Sequence, residues 1–369
     1  MQDAEKKQLV SLLDELSKAV EELFLAGLTA ASKSTVERLD VSFKEASRMK
    51  LLRLGSTLRI ANEEISRFTA GASQFSARRL AFFLSRAWLL ASAMRRAVDA
   101  GDREALNRLQ AAPATQPVEK LRFVTLGVVK RVVPGAFVGF DFRLRSVGAA
   151  DHVADGESLV WSCVFPLRKD LDLPSEALLH LPQKQKFKPS ILLEKKVIEA
   201  TGCAVSPQAG GATRLSLSET GTMTAGEAFA DWPSLWSWDV GRAADRLERH
   251  RPMPMDLEIE LQEEVVVSGW RAGEPLETDQ GYDLLPLETD FLPFEVRLDR
   301  GPSGDPVRGV MTKIAKKKRP PPIYGVAHYE ACRLVLQPLS TLGKNGIDYL
   351  TVSPDKISQA ELVKAMKFT

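Results

Sequence analysis

Histidine, cysteine and nucleotide-binding glycine loops are what this chain has least of. Only four histidines, His152, His180, His250 and His328, and three cysteines, Cys163, Cys203 and Cys332, occur in its 369 residues. The histidines stand in separate segments, so neither a metal site nor a nucleophile triad has local support. His328, followed by Tyr329 and Glu330, reads as a strand histidine alternating with core residues. An odd number of widely spaced cysteines fits neither a disulfide framework nor a zinc knuckle, and the three read as small buried hydrophobes. The motifs G-x-x-x-x-G-K-[ST], G-x-G-x-x-G, H-E-x-x-H and G-x-S-x-G are all missing, which removes the common signatures of phosphate loops, dinucleotide sites, zinc proteases and serine hydrolases. The expectation is a protein that is not an enzyme and holds no cofactor or metal. No apolar run approaches the ~18 residues of a membrane span. The start, MQDAEKKQLV, is charged where a signal peptide is apolar, so a soluble cytoplasmic protein without a membrane partner is expected.

What is present divides into two patterns. Leu9, Leu12, Leu13, Leu16, Val20, Leu23 and Phe24 recur at the spacing that lines one stripe of a helix, ending at Gly27. Ser34 and Glu37 form a capping box, in which hydroxyl and carboxylate satisfy free backbone N–H groups, so a second helix is expected from Thr35 with Val36, Leu39 and Phe43 inward. Gly55 marks a kink or a break before a piece running to Phe68. A long helix follows over 75–98, with Leu80, Phe83, Leu84, Ala87, Leu90 and Met94 on one side, and Asp102 caps a short helix through Leu109. Short loops between amphipathic helices imply an antiparallel bundle over 1–110.

Residues 111–117, with two prolines among small residues, read as a linker. The period then changes. Segments 121–133 and 136–147 are rich in Val, Phe and Leu around Pro134-Gly135, a hairpin signal. Further strands are expected at 159–165, 191–200, 214–217, 257–267, 294–298, 309–314, 324–329 and 333–336. Asn345-Gly346 turns into 347–352, and Ser353-Pro354 opens a C-terminal helix. A motif of strand, Gly, turn and strand recurs in VIEATGCAVSPQAGGATRLSL and VVVSGWRAGEPLETDQGYDLLPL, either as two related small barrels or by coincidence. Trp232, Trp236 and Trp238 precede a short charged helix and read as packing anchors at a junction, a base-stacking platform being the other reading. The fold class is therefore α+β: an N-terminal antiparallel helical bundle, then a mainly antiparallel β-rich body of one or two small barrels or sandwiches, then a short C-terminal helix. The expected domains are 1–110, the linker 111–117, a first β-rich domain 118–230, a connector 231–255, and a second β-rich domain 256–369.

Net charge is +2, but the cations are unevenly placed. No acid occurs between Glu64 and Asp99, where six arginines fall. At ~100° per residue, Arg78, Arg79, Arg86 and Arg96 lie within an arc of about 100°, interleaved with Phe82 and Leu89. That pattern suits either a docking surface for an acidic partner or a packed or solvated face. Lys184, Lys186 and Lys188 alternate in QKQKFK, as on one side of a strand, where they either touch phosphates or protect an edge from aggregation. Lys313, Lys316, Lys317, Lys318 and Arg319 precede three prolines, with no acid between Asp305 and Glu330. They read as a mobile basic hairpin tip suited to nucleic acid or an acidic protein.

The stretches GLTAAS, VERLD, RLGSTLR and LAFFLSRAWLLASAMRRAVDAGDREALNRL, with VVVSGWRAG, LLPLE and PIYGVAHYEACRLVLQPLS, resemble bacterial proteins encoded beside MoxR-type AAA+ ATPases and von Willebrand A domain proteins, including their SWIM zinc-finger companions. The zinc-binding C-x-C…C-x-H set of that finger is absent here, so no residue-level function carries over. The resemblance implies an adaptor or accessory subunit with an AAA+ ATPase or von Willebrand A domain protein as partner. The alternative is a nucleic-acid-binding module built from small barrels with basic loops.

Overall fold

The computed structural model describes residues 3–352 except 31–32, 73–74, 111–114, 134–136, 167–173, 186, 208–210, 250–262, 280, 291, 302–303, 331–332 and 345. The Pro134-Gly135 turn, Lys186, His250, Cys332, Asn345 and the expected C-terminal helix from Ser353 lie outside the described residues. The chain forms two compact units, residues 1–114 with 253–257, and 115–252 with 258–369.

The first unit is helical: α1 (Asp3–Ala26), α2 (Lys33–Arg48), α3 (Leu52–Thr69), α4 (Ala77–Ala100) and α5 (Arg103–Gln110). Consecutive helices pack on one another and α4 also packs on α1. Their apolar stripes meet in one core that includes Leu13, Leu16, Val20, Leu39, Leu54, Leu58, Leu84, Leu90 and Met94. The Asp102 carboxylate accepts the Ala105 N–H, capping α5 as the sequence implies. Two local expectations need correction. Helix α2 starts at Lys33, ahead of the Ser34 cap position. The break after α2 falls at 49–51, and Gly55 lies within α3, where its Cα side faces the Ser47 hydroxyl of α2.

The second unit begins with β1 (Gln116–Val133), inside the expected linker, and continues with β2 (Phe137–Ser146), β3 (Ser158–Pro166), β4 (Lys196–Ser206) and β5 (Thr213–Ala228). They close into a barrel in the order β1-β2-β3-β5-β4, antiparallel except for the β3–β5 pair. This is the five-stranded Greek-key topology of oligonucleotide- and oligosaccharide-binding barrels. Residues 191–193, expected as strand, instead belong to a 3₁₀ turn, Pro189–Leu193, because Pro189 fixes a turn-compatible φ and supplies no ladder N–H.

After a 3₁₀ turn (Trp232–Trp236) and α6 (Val240–Arg249) come β6 (Glu263–Val267), β7 (Arg271–Ala272), β8 (Leu276–Glu277), β9 (Tyr282–Glu288), β10 (Phe294–Asp299), α7 (Asp305–Ala315), β11 (Ile323–Glu330), β12 (Arg333–Gly343) and β13 (Gly346–Tyr349). Their order is β6-β11-β12-β10-β9-β7, with β10 and β12 parallel. Strands β6 and β7 are separated only by 268–270, where Gly269 has φ +65°. Counted as one interrupted strand, they give this sheet the strand order of the first barrel, with β9, β10, β11 and β12 in the places of β2, β3, β4 and β5. The two similar sequence stretches do not mark this repeat. One spans β4–β5 of the first barrel and the other β6–β9 of the second sheet, which are not equivalent positions.

Strand β1 explains how the two β layers join. Its run from Phe123 to Val129 is buried throughout rather than alternating, the mark of a strand covered on both faces. Phe123 and Val128 face the first barrel's own core. Val124, Leu126 and Val129 pack with Trp232, Val266, Tyr324, Val326, Leu339 and Ile347 of the following elements. Side chains of the second layer also cap β1 carbonyls: Ser340 Oγ donates to Leu126 O at 2.5 Å, Tyr349 OH to Thr125 O at 3.2 Å and Thr351 Oγ1 to Val128 O at 2.5 Å. Trp232 thus serves as a packing anchor. Cys163 and Cys203 are buried with free thiols, and burial pushes Cys163 up to about 12.

Asp283 on β9 joins this strand to Arg300 and to Arg308 of α7. Hydrogen bonds from Arg300, then from Arg308 of α7, keep its carboxyl below the usual carboxylate range. A carboxylate with a depressed folded pKa adds stability above its unfolded pKa and loses it as pH falls through the folded value. The stability gap between wild type and Asp283→Asn should therefore be open at neutral pH and close below about pH 4. Urea titrations across pH 3 to 7 test this, and a gap that is constant across the series would reject it.

Candidate nucleic-acid interface

The segment 309–314, expected as strand, is the body of helix α7. Pro306 occupies its first turn, a position where proline's missing N–H costs nothing. Met311 and Ile314 point into the core shared with Trp270, Val296 and Leu298. Arg308 ties the helix to Asp283 and donates to Leu298 O at 2.8 Å. The chain leaves α7 through a turn at 316–319, and the Trp270 indole N–H donates to Pro321 O at 3.0 Å before β11 begins. The basic run is therefore the end of a pinned helix and the turn after it, not a hairpin tip. Lys313, Lys316, Lys317, Lys318 and Arg319 are all exposed, and none has an ion pair among the described residues. Only Lys313 lies in the last helical turn, so favourable interaction with the helix dipole accounts for one cation of the five.

Lys184 and Lys188 also differ from expectation. Residues 183–185, 187 and 188 form no strand: Gln183 N donates to Phe187 O at 2.8 Å, closing a turn around Lys184. Phe187 is the reason. Its ring is buried in the first barrel's core, 5.5 Å from the Trp161 ring, and this anchor leaves Lys184 and Lys188 exposed on either side. Burial, aided by the Lys188 charge, lowers the pKa of His180. The loop joins β3 to β4, and the 313–319 segment joins the equivalent strands β10 and β11. Both basic features thus sit on the same connection of the two repeats.

The α4 arginines do not act as one group. Arg86 is buried, with its Nε donating to Thr57 Oγ1 at 3.1 Å, so it belongs to the bundle interior and not to a docking surface. The hydroxyl of Thr57 on α3 receives its buried head. Arg79 lies 3.6 Å from Glu64. Arg78 and Arg96 are exposed.

Elsewhere on the β-rich unit the cations are mostly neutralised. Lys120 pairs with Glu199, Arg122 with Glu227, Lys130 with Glu176, Arg131 with Asp141 and Arg145 with Glu264. An acid beside each cation cancels the attraction for phosphate, so the outer strands of the first barrel supply no continuous phosphate track. A cleft of about 570 Å³ near Arg145, Trp238, Arg242, Glu263 and Glu264 has both of these glutamates paired: Glu263 takes Arg246 and the Trp238 indole N–H, and Glu264 takes Arg145. No group of three His, Cys, Asp or Glu suited to a metal occurs among the described residues, and no helix of the described residues is long and apolar enough to cross a membrane.

No family model matches the sequence, and no curated protein matches it. Solved structures do. The p202 HIN1 domain in complex with a 12-mer double-stranded DNA is similar at 9% identity and a TM-score of 0.26, covering 61% of this chain and 92% of that one. A murine DNA-binding protein bound to double-stranded DNA is similar at 11% identity and a TM-score of 0.25, covering 65% and 100%. The tetrameric p202 HIN2 domain is similar at 8% identity and the same TM-score, covering 65% and 95%. Scores of this size carry no argument about what this chain binds. The residues themselves have to.

Proposed function

We propose that the β-rich unit binds nucleic acid, with Lys313, Lys316, Lys317, Lys318 and Arg319 gripping phosphates and Lys184 and Lys188 adding a weaker contact. The observation that supports this reading is the run of exposed cations, without ion pairs among the described residues, on an element held by Asp283 at one end and Trp270 at the other. A pinned cationic segment loses less conformational entropy on binding than a free tail. The barrel topology agrees with this use but does not prove it, since barrels of this type serve many functions.

Fluorescence anisotropy with labelled 20-nucleotide single- and double-stranded DNA is the test. Five phosphate contacts predict a slope of about −3 to −5 in log affinity against log salt concentration. Changing all five residues to glutamine should remove most of the affinity and flatten that slope, while each substitution changes stability by no more than about 0.5 kcal/mol because the side chains are solvated. Absence of binding at low salt, where phosphate contacts are strongest, or unchanged binding by the glutamine variant, would rule the reading out. Protein docking, the adaptor role, is kept for the helical unit, where exposed apolar side chains on α4 favour it.

A further inference from the structure

Helix α4 carries an exposed stripe that the bundle leaves uncovered. Phe82 is 52% and Leu89 38% exposed, on a helix whose remaining large apolar side chains are buried or packed against the core. At ~100° per residue Arg78, Phe82, Leu89 and Arg96 lie within about 40° of one another, so they form a single line. At ~1.5 Å per residue the line is about 27 Å long from Arg78 to Arg96, with the two apolar side chains about 10 Å apart in its middle. Ser85, small and exposed, lies between them. Arg78 and Arg96 have no ion pair among the described residues, and α4 contains no acid before Asp99. By contrast Arg79, Arg86 and Arg95, which lie off the line, are engaged by Glu64, Thr57, Asp14 and Asp99. The phenyl ring of Phe82 is held edge-on to Phe83 with centroids 5.2 Å apart, so the exposed ring is positioned rather than loose.

We infer that this line is a docking site for an amphipathic helix from another protein, with apolar residues one heptad apart at its centre and acidic residues toward both ends. Charge complementarity sets the choice of occupant: cations at each end with no acid between them repel a basic segment and pair with an acidic one. The length supports it, since a 27 Å line matches about five turns of helix, and residues i and i+7 of such a helix reach Phe82 and Leu89. The apolar pair supplies the anchors and the arginines set register and orientation. The inference deepens the protein-docking reading of the helical unit and is independent of nucleic-acid binding by the β-rich unit.

A displayed library of 20-residue helical peptides, selected against the full-length chain, tests it without knowledge of the natural partner. Selected peptides should carry apolar residues at i and i+7 with Asp or Glu toward both ends. Their affinity should fall about tenfold or more for Phe82→Ser/Leu89→Ser, and similarly for Arg78→Glu/Arg96→Glu. All four side chains are exposed, so circular dichroism of both double variants should match wild type. Enrichment of basic peptides, or of peptides whose affinity both double variants retain, overturns the α4 assignment while protein docking elsewhere on the bundle survives. Failure to enrich any peptide overturns both. A dimer in sedimentation that dissociates on Phe82→Ser/Leu89→Ser would give the stripe to a second copy of the chain and also reject the inference.

Discussion

Gly127→Ala is expected to destabilise the β-rich unit by about 1–3 kcal/mol, the usual cost of overpacking a filled core, although it adds one methyl group to a strand. A Cβ built at Gly127 would lie 2.6 Å from Leu339 Cβ and 3.0 Å from the Tyr324 ring. Neither neighbour can yield cheaply. Leu339 and Tyr324 are fully buried, and the adjoining backbone is held by the bonds to the Thr125, Leu126 and Val128 carbonyls. The β1–β2 register shifts between Thr125 and Gly127, and the glycine lets β12 approach the strand at that irregularity. Gly139→Ala, on the neighbouring strand β2, is the control: its Cβ would meet nothing closer than 3.8 Å, so the change should stay within about 0.5 kcal/mol. Urea unfolding followed by tryptophan fluorescence reads both variants. The nearest atom is Leu339 Cβ, which alanine retains, so adding Leu339→Ala to Gly127→Ala should lower stability further rather than restore it. If the two glycine variants are equally stable, the close packing of the two β layers at Gly127 is wrong.

The helical unit has a corresponding weak point in Glu64. Its side chain is completely buried, yet it accepts from the Ser76 backbone N–H at 3.0 Å and from Arg67 at 2.5 Å, and lies 3.6 Å from Arg79. Ser76 is the N-cap of α4 and accepts in turn from Arg79 N at 3.2 Å. One carboxylate thus joins the end of α3 to the start of α4. Glu64→Ala should cost about 2–4 kcal/mol, since it opens a cavity and leaves the half-buried Ser76 N–H without its acceptor. The arginine heads are partly solvated, so they recover water contacts and add little to that loss. Glu64→Gln keeps the shape and one acceptor and should cost about half as much. Thermal unfolding followed by helical circular dichroism separates the two variants. Equal losses would show that charge alone matters here and that the Ser76 bond contributes nothing.

The sequence showed the elements whose causes are local. The Asp102 cap, the paired strands on either side of Pro134-Gly135 and the one-sided stripes of α1 and α4 each depend on residues a few positions apart. It missed where local signals conflict. Gly309, Val310 and Thr312 suggested strand, while Pro306 and the spacing of Val307, Met311 and Ile314 already carried the helical signal of α7. In QKQKFK the alternation of lysines suggested strand, but Phe187 needed a core place and Pro189 ended the run. Of the candidate site residues, the exposed cations at 313–319 were legible because charge without neighbouring acid is visible in one dimension. Arg86 was not, because its partner, Thr57, comes from another helix.

The sequence by itself determined the change from helical to strand period near residue 111, the missing catalytic and metal-binding signatures, and the uneven placement of cations. These depend on composition and short-range spacing. Only the tertiary structure decided that the second layer repeats the first barrel's strand order and that β1 is buried on both faces. It also decided that the α4 arginines separate into a buried, a paired and an exposed set, and that the basic run ends a pinned helix. Those outcomes turn on which distant strands pair and which side chains find partners across the fold, and loop closure over long stretches of chain leaves no local trace of either.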